Sequence, residues 1–115
     1  MLHPVRGWTS SINDGSVVVD LRWRGFGALF TGDAERAAEA AMAAGGWLGP
    51  TTVLKVPHHG SRTSSTPEFL DRVQPRIAVI SAGADNRYGL PAPDVEARYR
   101  ARGVCVLRTD RCGAV

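Results

Sequence analysis

Two short motifs in this chain carry side chains able to hold a metal ion. The run Val53-Leu54-Lys55-Val56-Pro57 ends in His58-His59-Gly60-Ser61, and about 25 residues upstream Ala28-Leu29-Phe30-Thr31 ends in Gly32-Asp33. Each run is long enough for one strand, and each delivers an imidazole or carboxylate where strand gives way to loop. Metal sites are often assembled this way, with ligands on loop tips held by rigid neighbours. Asp33 together with His58 and His59 therefore points to hydrolysis assisted by a divalent metal. Each motif also has a plainer reading. Asp33 opens a helical pattern, where a carboxylate serves equally well as N-cap, and an isolated histidine pair is more often structural or incidental.

The elements that must position these residues are legible along the chain. Val17, Val19, Leu21 and Trp23 alternate with Ser16, Val18, Asp20, Arg22 and Arg24, the period of a half-buried strand. Gly25-Phe26-Gly27 supplies a turn, and the segment to Thr31 reads as the hairpin partner. An alanine-rich helix follows over residues 34–44, ended by Gly45-Gly46. Strands are expected over residues 51–56, 77–80 and 104–107, and Cys105 within the last reads as a small buried hydrophobe. Helices are expected from Pro67 to Val73, capped by Ser65 or Thr66, and from Pro93 to just before Gly103. The order β, β, α, β, α, β, α, β predicts an α/β layer with helices on one face of a mixed sheet. Such a layer leaves its other face apolar and bare, to be covered by a second copy or a partner half.

At 115 residues and 43% apolar content the chain is the size of one globular domain. Its net charge is +3, and the surplus lies in residues 58–115, which hold nine basic and six acidic groups. Thirteen of the fourteen basic residues are arginine. Arginine makes forked contacts to phosphate, but a general compositional bias explains the count as well. The two cysteines, Cys105 and Cys112, lack the spacing of a zinc site. No stretch approaches the roughly 18 apolar residues of a membrane span, and no signal-peptide core opens the chain. The chain is expected to be soluble as given.

Taken together and in order, the motifs resemble the metallo-β-lactamase-like domain of ComEC-type competence proteins, which take up DNA across bacterial membranes. The stretches that carry the resemblance are Asn13 to Asp20, Leu29 to Asp33, Val53 to Ser61, Pro75 to Ser81, Asn86 to Pro91 and Arg108 to Asp110. The resemblance implies that residues 1–115 form the C-terminal half of a four-layer αβ/βα sandwich. The N-terminal half of the domain and the membrane channel of the parent are expected as partners outside this chain, with DNA as substrate. The parent is expected in the bacterial plasma membrane, this domain on its extracytoplasmic side.

The same resemblance implies a nuclease-like hydrolase acting on DNA phosphodiesters with divalent ions, Zn or Mn, and no small-molecule cofactor. It assigns Asp33 as the carboxylate bridging two metals, His58 or His59 as ligand or supporting group, and Ser61 as a phosphate or water contact. Asn86, Arg87 and Tyr88 are candidates for a nucleic-acid groove. Two departures count against activity in this chain alone. The family's H-x-H-x-D-H signature is absent, since the only histidines are His3, His58 and His59. Where the family's loop reads N-x-Y-G-H-P, this chain has leucine at position 90. The alternative is therefore a non-catalytic or degenerate single-stranded-DNA-binding module of the same parent, with no metal held by this fragment, or a different hydrolase of the same fold.

Overall fold

A computed structural model describes all residues from Met1 to Val115. Five strands form one sheet in chain order: β1 (Val19–Trp23), β2 (Phe26–Phe30), β3 (Val53–Lys55), β4 (Ile77–Ile80) and β5 (Cys105–Arg108). The β1–β2 hairpin is antiparallel, and β2 to β5 run parallel. Helix α1 (Arg36–Ala44) links β2 to β3, α2 (Pro67–Val73) links β3 to β4, and α3 (Pro93–Ala101) links β4 to β5. A short helix, α4 (Thr109–Cys112), follows β5. Each parallel crossover steps to the next strand in the same direction. Crossovers of one hand that all step one way deposit their helices on one face, as the sequence order predicts.

That face holds the core. Leu29, Leu54, Val56, Ala78 and Ile80 project from the sheet to meet Ala38 and Met42 of α1, Phe69, Leu70 and Val73 of α2, and Val95 and Tyr99 of α3. Full burial of such side chains contributes about 1.5–3 kcal/mol each for the larger ones. Polar fastenings tie the helices together. The buried Glu39 carboxylate accepts the backbone N–H groups of Ser65 and Thr66 at 2.6 and 2.9 Å, and so fixes the approach to α2. Thr66 caps α2 by accepting the Phe69 N–H, and Pro67 occupies its first turn.

The opposite face is bare. Register places Val19, Leu21 and Trp23 of β1 opposite Phe30, Ala28 and Phe26 of β2, and the same face continues through Val53, Ile77 and Cys105. Val19, Leu21, Trp23, Phe26 and Phe30 are between 38% and 66% exposed. The alternating apolar set of β1, with Val17 before it, lies on this open face, while Val18 is buried on the helix side. One expectation is corrected here. Cys105 is exposed, because its strand is the edge of the sheet and its side chain lies on the uncovered side. A period of two reveals that a strand has two faces, but not which one the helices cover.

Candidate metal centre

The carboxyl ends of the parallel strands converge on one edge of the sheet. Thr31-Gly32-Asp33 leaves β2, Pro57-His58-His59-Gly60 leaves β3, Ser81-Ala82 leaves β4, and Thr109 follows β5. In open α/β sheets, this is the edge where ligands bind.

Asp33 and His59 meet there, with Asp33 Oδ1 at 3.3 Å from His59 Nε2. Both side chains are a little over two-fifths exposed. The His59 ring is aimed from behind, because Nδ1 donates to the Ser81 carbonyl at 2.6 Å. That bond commits Nδ1 as a donor and leaves Nε2 as the ring atom that faces Asp33. Ser81 is steadied in turn by its neighbour: Thr109 Oγ1 accepts the Ala82 N–H and donates to the Ala82 carbonyl, both at 2.9 Å.

His58 faces elsewhere. Its Nδ1 lies 2.9 Å from Glu35 Oε1, which also accepts the Thr63 hydroxyl at 2.6 Å, and its ring centroid is 6.3 Å from that of His59. The two rings diverge because residues 57–60 form a tight turn in which both histidines take left-handed backbone conformations, with φ of 45° and 54°. The chain is not extended there. Positive φ in non-glycine residues is uncommon and costs energy, and it clusters at functional sites. Gly60 completes the turn at φ 81°, where a Cβ would stand 2.6 Å from Pro91 Cβ, so only glycine fits. Gly32 is comparable: at φ 55°, its missing Cβ leaves room for Ser16, whose hydroxyl accepts the Asp33 N–H at 3.0 Å.

Asp33 is not a helix cap. Helix α1 begins at Arg36, and its first turn is satisfied from a distance by Asp14, whose Oδ1 accepts the N–H groups of Glu35 and Ala38 at 3.0 Å each. Asp14 Oδ2 accepts the Ser11 hydroxyl at 3.0 Å, and the residue is 95% buried. The Asp33 carboxylate is thereby left free of backbone partners. Neither Asp14 nor Glu35 was singled out by sequence reasoning, because each acts across a separation of more than twenty residues. Lys55 was missed as well. Its ammonium donates to the Val56 carbonyl at 3.0 Å. Burial lowers its pKa from the usual lysine value, against the nearby Asp33 carboxylate, which raises it.

The remaining candidates fall in three places. Ser61 bonds to Thr63, on the side of the turn that carries the Glu35–His58 pair. Asn86 is consumed by its own loop: its amide donates to the Gly83 and Leu90 carbonyls, and its oxygen accepts the Leu90 N–H. It shapes the groove, with both amide hydrogens engaged within the loop. Tyr88 and Arg87 stand exposed beside it, and Leu90 lines a pocket with His59. His3 is fully buried, with Nε2 against the Asp14 carbonyl, and takes no part in the edge.

An imidazole nitrogen and a carboxylate oxygen at this spacing suit a single divalent ion. No third His, Cys, Asp or Glu joins them. Tetrahedral zinc takes four ligands, so the donor types fit a metal while their number makes only part of a site.

Comparison with known proteins identifies a family. A model described as the metallo-beta-lactamase superfamily matches residues 3–84. The chain belongs to the metallo-β-lactamase superfamily. The match takes in both Thr-Gly-Asp and His-His-Gly-Ser, and the one-sheet layer with helices on one side is half of the superfamily's sandwich. Within the superfamily, the chain is similar to the competence proteins. It is 36% identical over its whole length to ComE operon protein 3 of Bacillus subtilis, and 41% identical over 90% of its length to competence protein ComA of Neisseria gonorrhoeae. Recombination protein 2 of Haemophilus influenzae is 39% identical over 76% of the chain. The chain spans 15%, 15% and 11% of these relatives. No helix is long and apolar enough to cross a membrane.

Proposed function

We propose that this chain is the ligand-bearing C-terminal half of a metal-dependent, nuclease-like hydrolase domain within a membrane-bound DNA-uptake protein. The contact between Asp33 Oδ1 and His59 Nε2, with His59 anchored through Nδ1, is the observation that carries this reading. The names of its relatives support the uptake setting. A divalent ion at this edge, zinc or manganese, would polarise a phosphodiester oxygen and make water acidic enough to attack at neutral pH. Asp33 and His59 are the donors this chain contributes. The Ser81 carbonyl would aim His59 Nε2 at such an ion, and the Glu35–His58 pair braces the turn beside it. The remaining donors come from the other half of the domain, which covers the open sheet face.

A second reading is favoured by Leu90, an apolar side chain beside His59, and by the two-donor count. In that reading the domain binds single-stranded DNA without cutting it. The deciding experiment reunites the chain with its N-terminal half and assays cleavage of single-stranded DNA with Mn²⁺, Zn²⁺ or chelator. Metal-dependent cleavage, abolished together with metal content by Asp33→Ala, supports the hydrolase. Binding without cleavage under all metals supports the second reading.

A further inference from the structure

Beside the candidate centre, the loop that follows β4 closes a pocket of about 210 Å³ lined by His59, Ala82, Gly83, Asn86, Tyr88 and Leu90. Its surface is largely apolar. The Asn86 amide clamps both ends of the loop, to Gly83 and to Leu90, so the walls are held in place. Tyr88 is 70% exposed. The Arg87 guanidinium lies 5.0 Å from the centre of the Tyr88 ring and donates to its hydroxyl at 2.8 Å.

We propose that this pocket is a stacking subsite for one unpaired nucleobase of single-stranded DNA, with the Tyr88 ring as its platform. The inference rests on the reading of the Asp33–His59 edge as a phosphodiester site, and it names how the substrate is held there. A large aromatic ring left in water beside apolar walls suits a flat apolar partner, and every nucleobase has such a face. Arg87 lies over the ring, and Tyr88, at 70% exposure, still offers surface to a stacking partner. It also sets a cation where a backbone phosphate would pass. The volume lies below the roughly 300–1,000 Å³ of sites for drug-sized ligands, which suits one ring system. Because His59 belongs to both places, a base seated in the pocket sets its own phosphate beside Asp33. Leu90 gives the base an apolar wall where an imidazole would place a polar one. A base stacked in a duplex cannot enter, so the subsite selects unpaired strands.

The test uses the full chain in chelator, so that cleavage plays no part. Anisotropy compares a labelled oligothymidylate with an abasic oligomer of equal length and charge. The base-bearing strand is expected to bind about 10-fold more tightly, the range of a single stacked base. Tyr88→Ala should bring both strands to the abasic level, and Tyr88→Trp should keep the difference, with circular dichroism confirming that both variants fold. Equal affinity of the native chain for the two strands overturns the subsite, as does a preference that survives Tyr88→Ala. Failure of both strands to bind overturns it together with the DNA reading. A base preference that persists while the reunited domain fails to cleave leaves the subsite standing and overturns the hydrolase alone.

Discussion

At the scale of single residues, the decisive fact is that two aspartates divide two roles that sequence offered to one. Asp14 is buried and saturated with hydrogen bonds from α1 and Ser11, whereas Asp33 is half-exposed and touches only an imidazole with its carboxylate. Their substitutions should therefore separate stability from metal binding. Asp14→Ala is expected to cost about 2–4 kcal/mol, because it strands several buried donors at a helix start. Asp33→Ala should stay within about 0.5 kcal/mol, as surface changes usually do. Urea unfolding of both variants checks this, and a larger loss for Asp33 would return it to a structural role. Gly60→Ala belongs here as well. It combines positive φ with a clash against Pro91, and is expected to destabilise by about 2–3 kcal/mol and to weaken metal uptake by the reunited domain.

At the scale of elements, the site is held by what stands behind it. The β5–α4 corner steadies the residue after Ser81 through Thr109, and that corner is itself locked by Arg108, which donates to Glu96 and Asp110. All three side chains are only about a tenth exposed. Burial alone would raise the Glu96 carboxyl, but hydrogen bonds from Arg100 and Arg108 outweigh it and hold the group below its ordinary value of 4.5. Hydrogen bonding from Arg108 holds Asp110 below its ordinary 3.8 in the same way. A carboxyl depressed in the folded state contributes stability above its unfolded pKa, and that contribution fades as pH falls through the folded one. The native chain should therefore lose stability as pH drops below about 4.5. Glu96→Gln should start less stable at neutral pH and decline less steeply on acidification, as followed by urea unfolding from pH 6 to 2.

At the scale of the whole molecule, charge and apolar surface tell different stories. Seven of the thirteen arginines are engaged in ion pairs within the chain, among them Arg62, Arg98, Arg100 and Arg102. The arginine count that composition advertises is thus partly spent on ion pairs within the chain, and arginines such as Arg76, Arg87 and Arg111, which make none, carry the surplus. The open sheet face is the stronger signal. A contiguous patch with Leu21, Trp23, Phe26 and Phe30 all exposed marks an interface. Leu21→Asp is expected to leave the helix-side core and the far-ultraviolet spectrum intact while abolishing association with the N-terminal half. With Trp8 and Trp47 replaced by phenylalanine, a blue shift of the remaining Trp23 emission on mixing reads that association, and its persistence in the variant would place the interface elsewhere.

What sequence alone determined was local or periodic. Element order, the one-sided helices and a cap at Ser65 or Thr66 ahead of Pro67 follow from patterns within a few residues, and the motif order carried the family. Strand ends pointed to Asp33 and the His58-His59 pair because a loop tip beside a strand is a local feature. Tertiary structure decided which histidine turns toward Asp33, since that depends on two left-handed residues and on a carbonyl 22 positions away at Ser81. It decided that Asp14 caps α1 and frees Asp33, and that the alternating face of β1 looks outward. These choices rest on contacts between segments far apart in the chain, and side-chain type at one position does not encode a partner brought near only by folding.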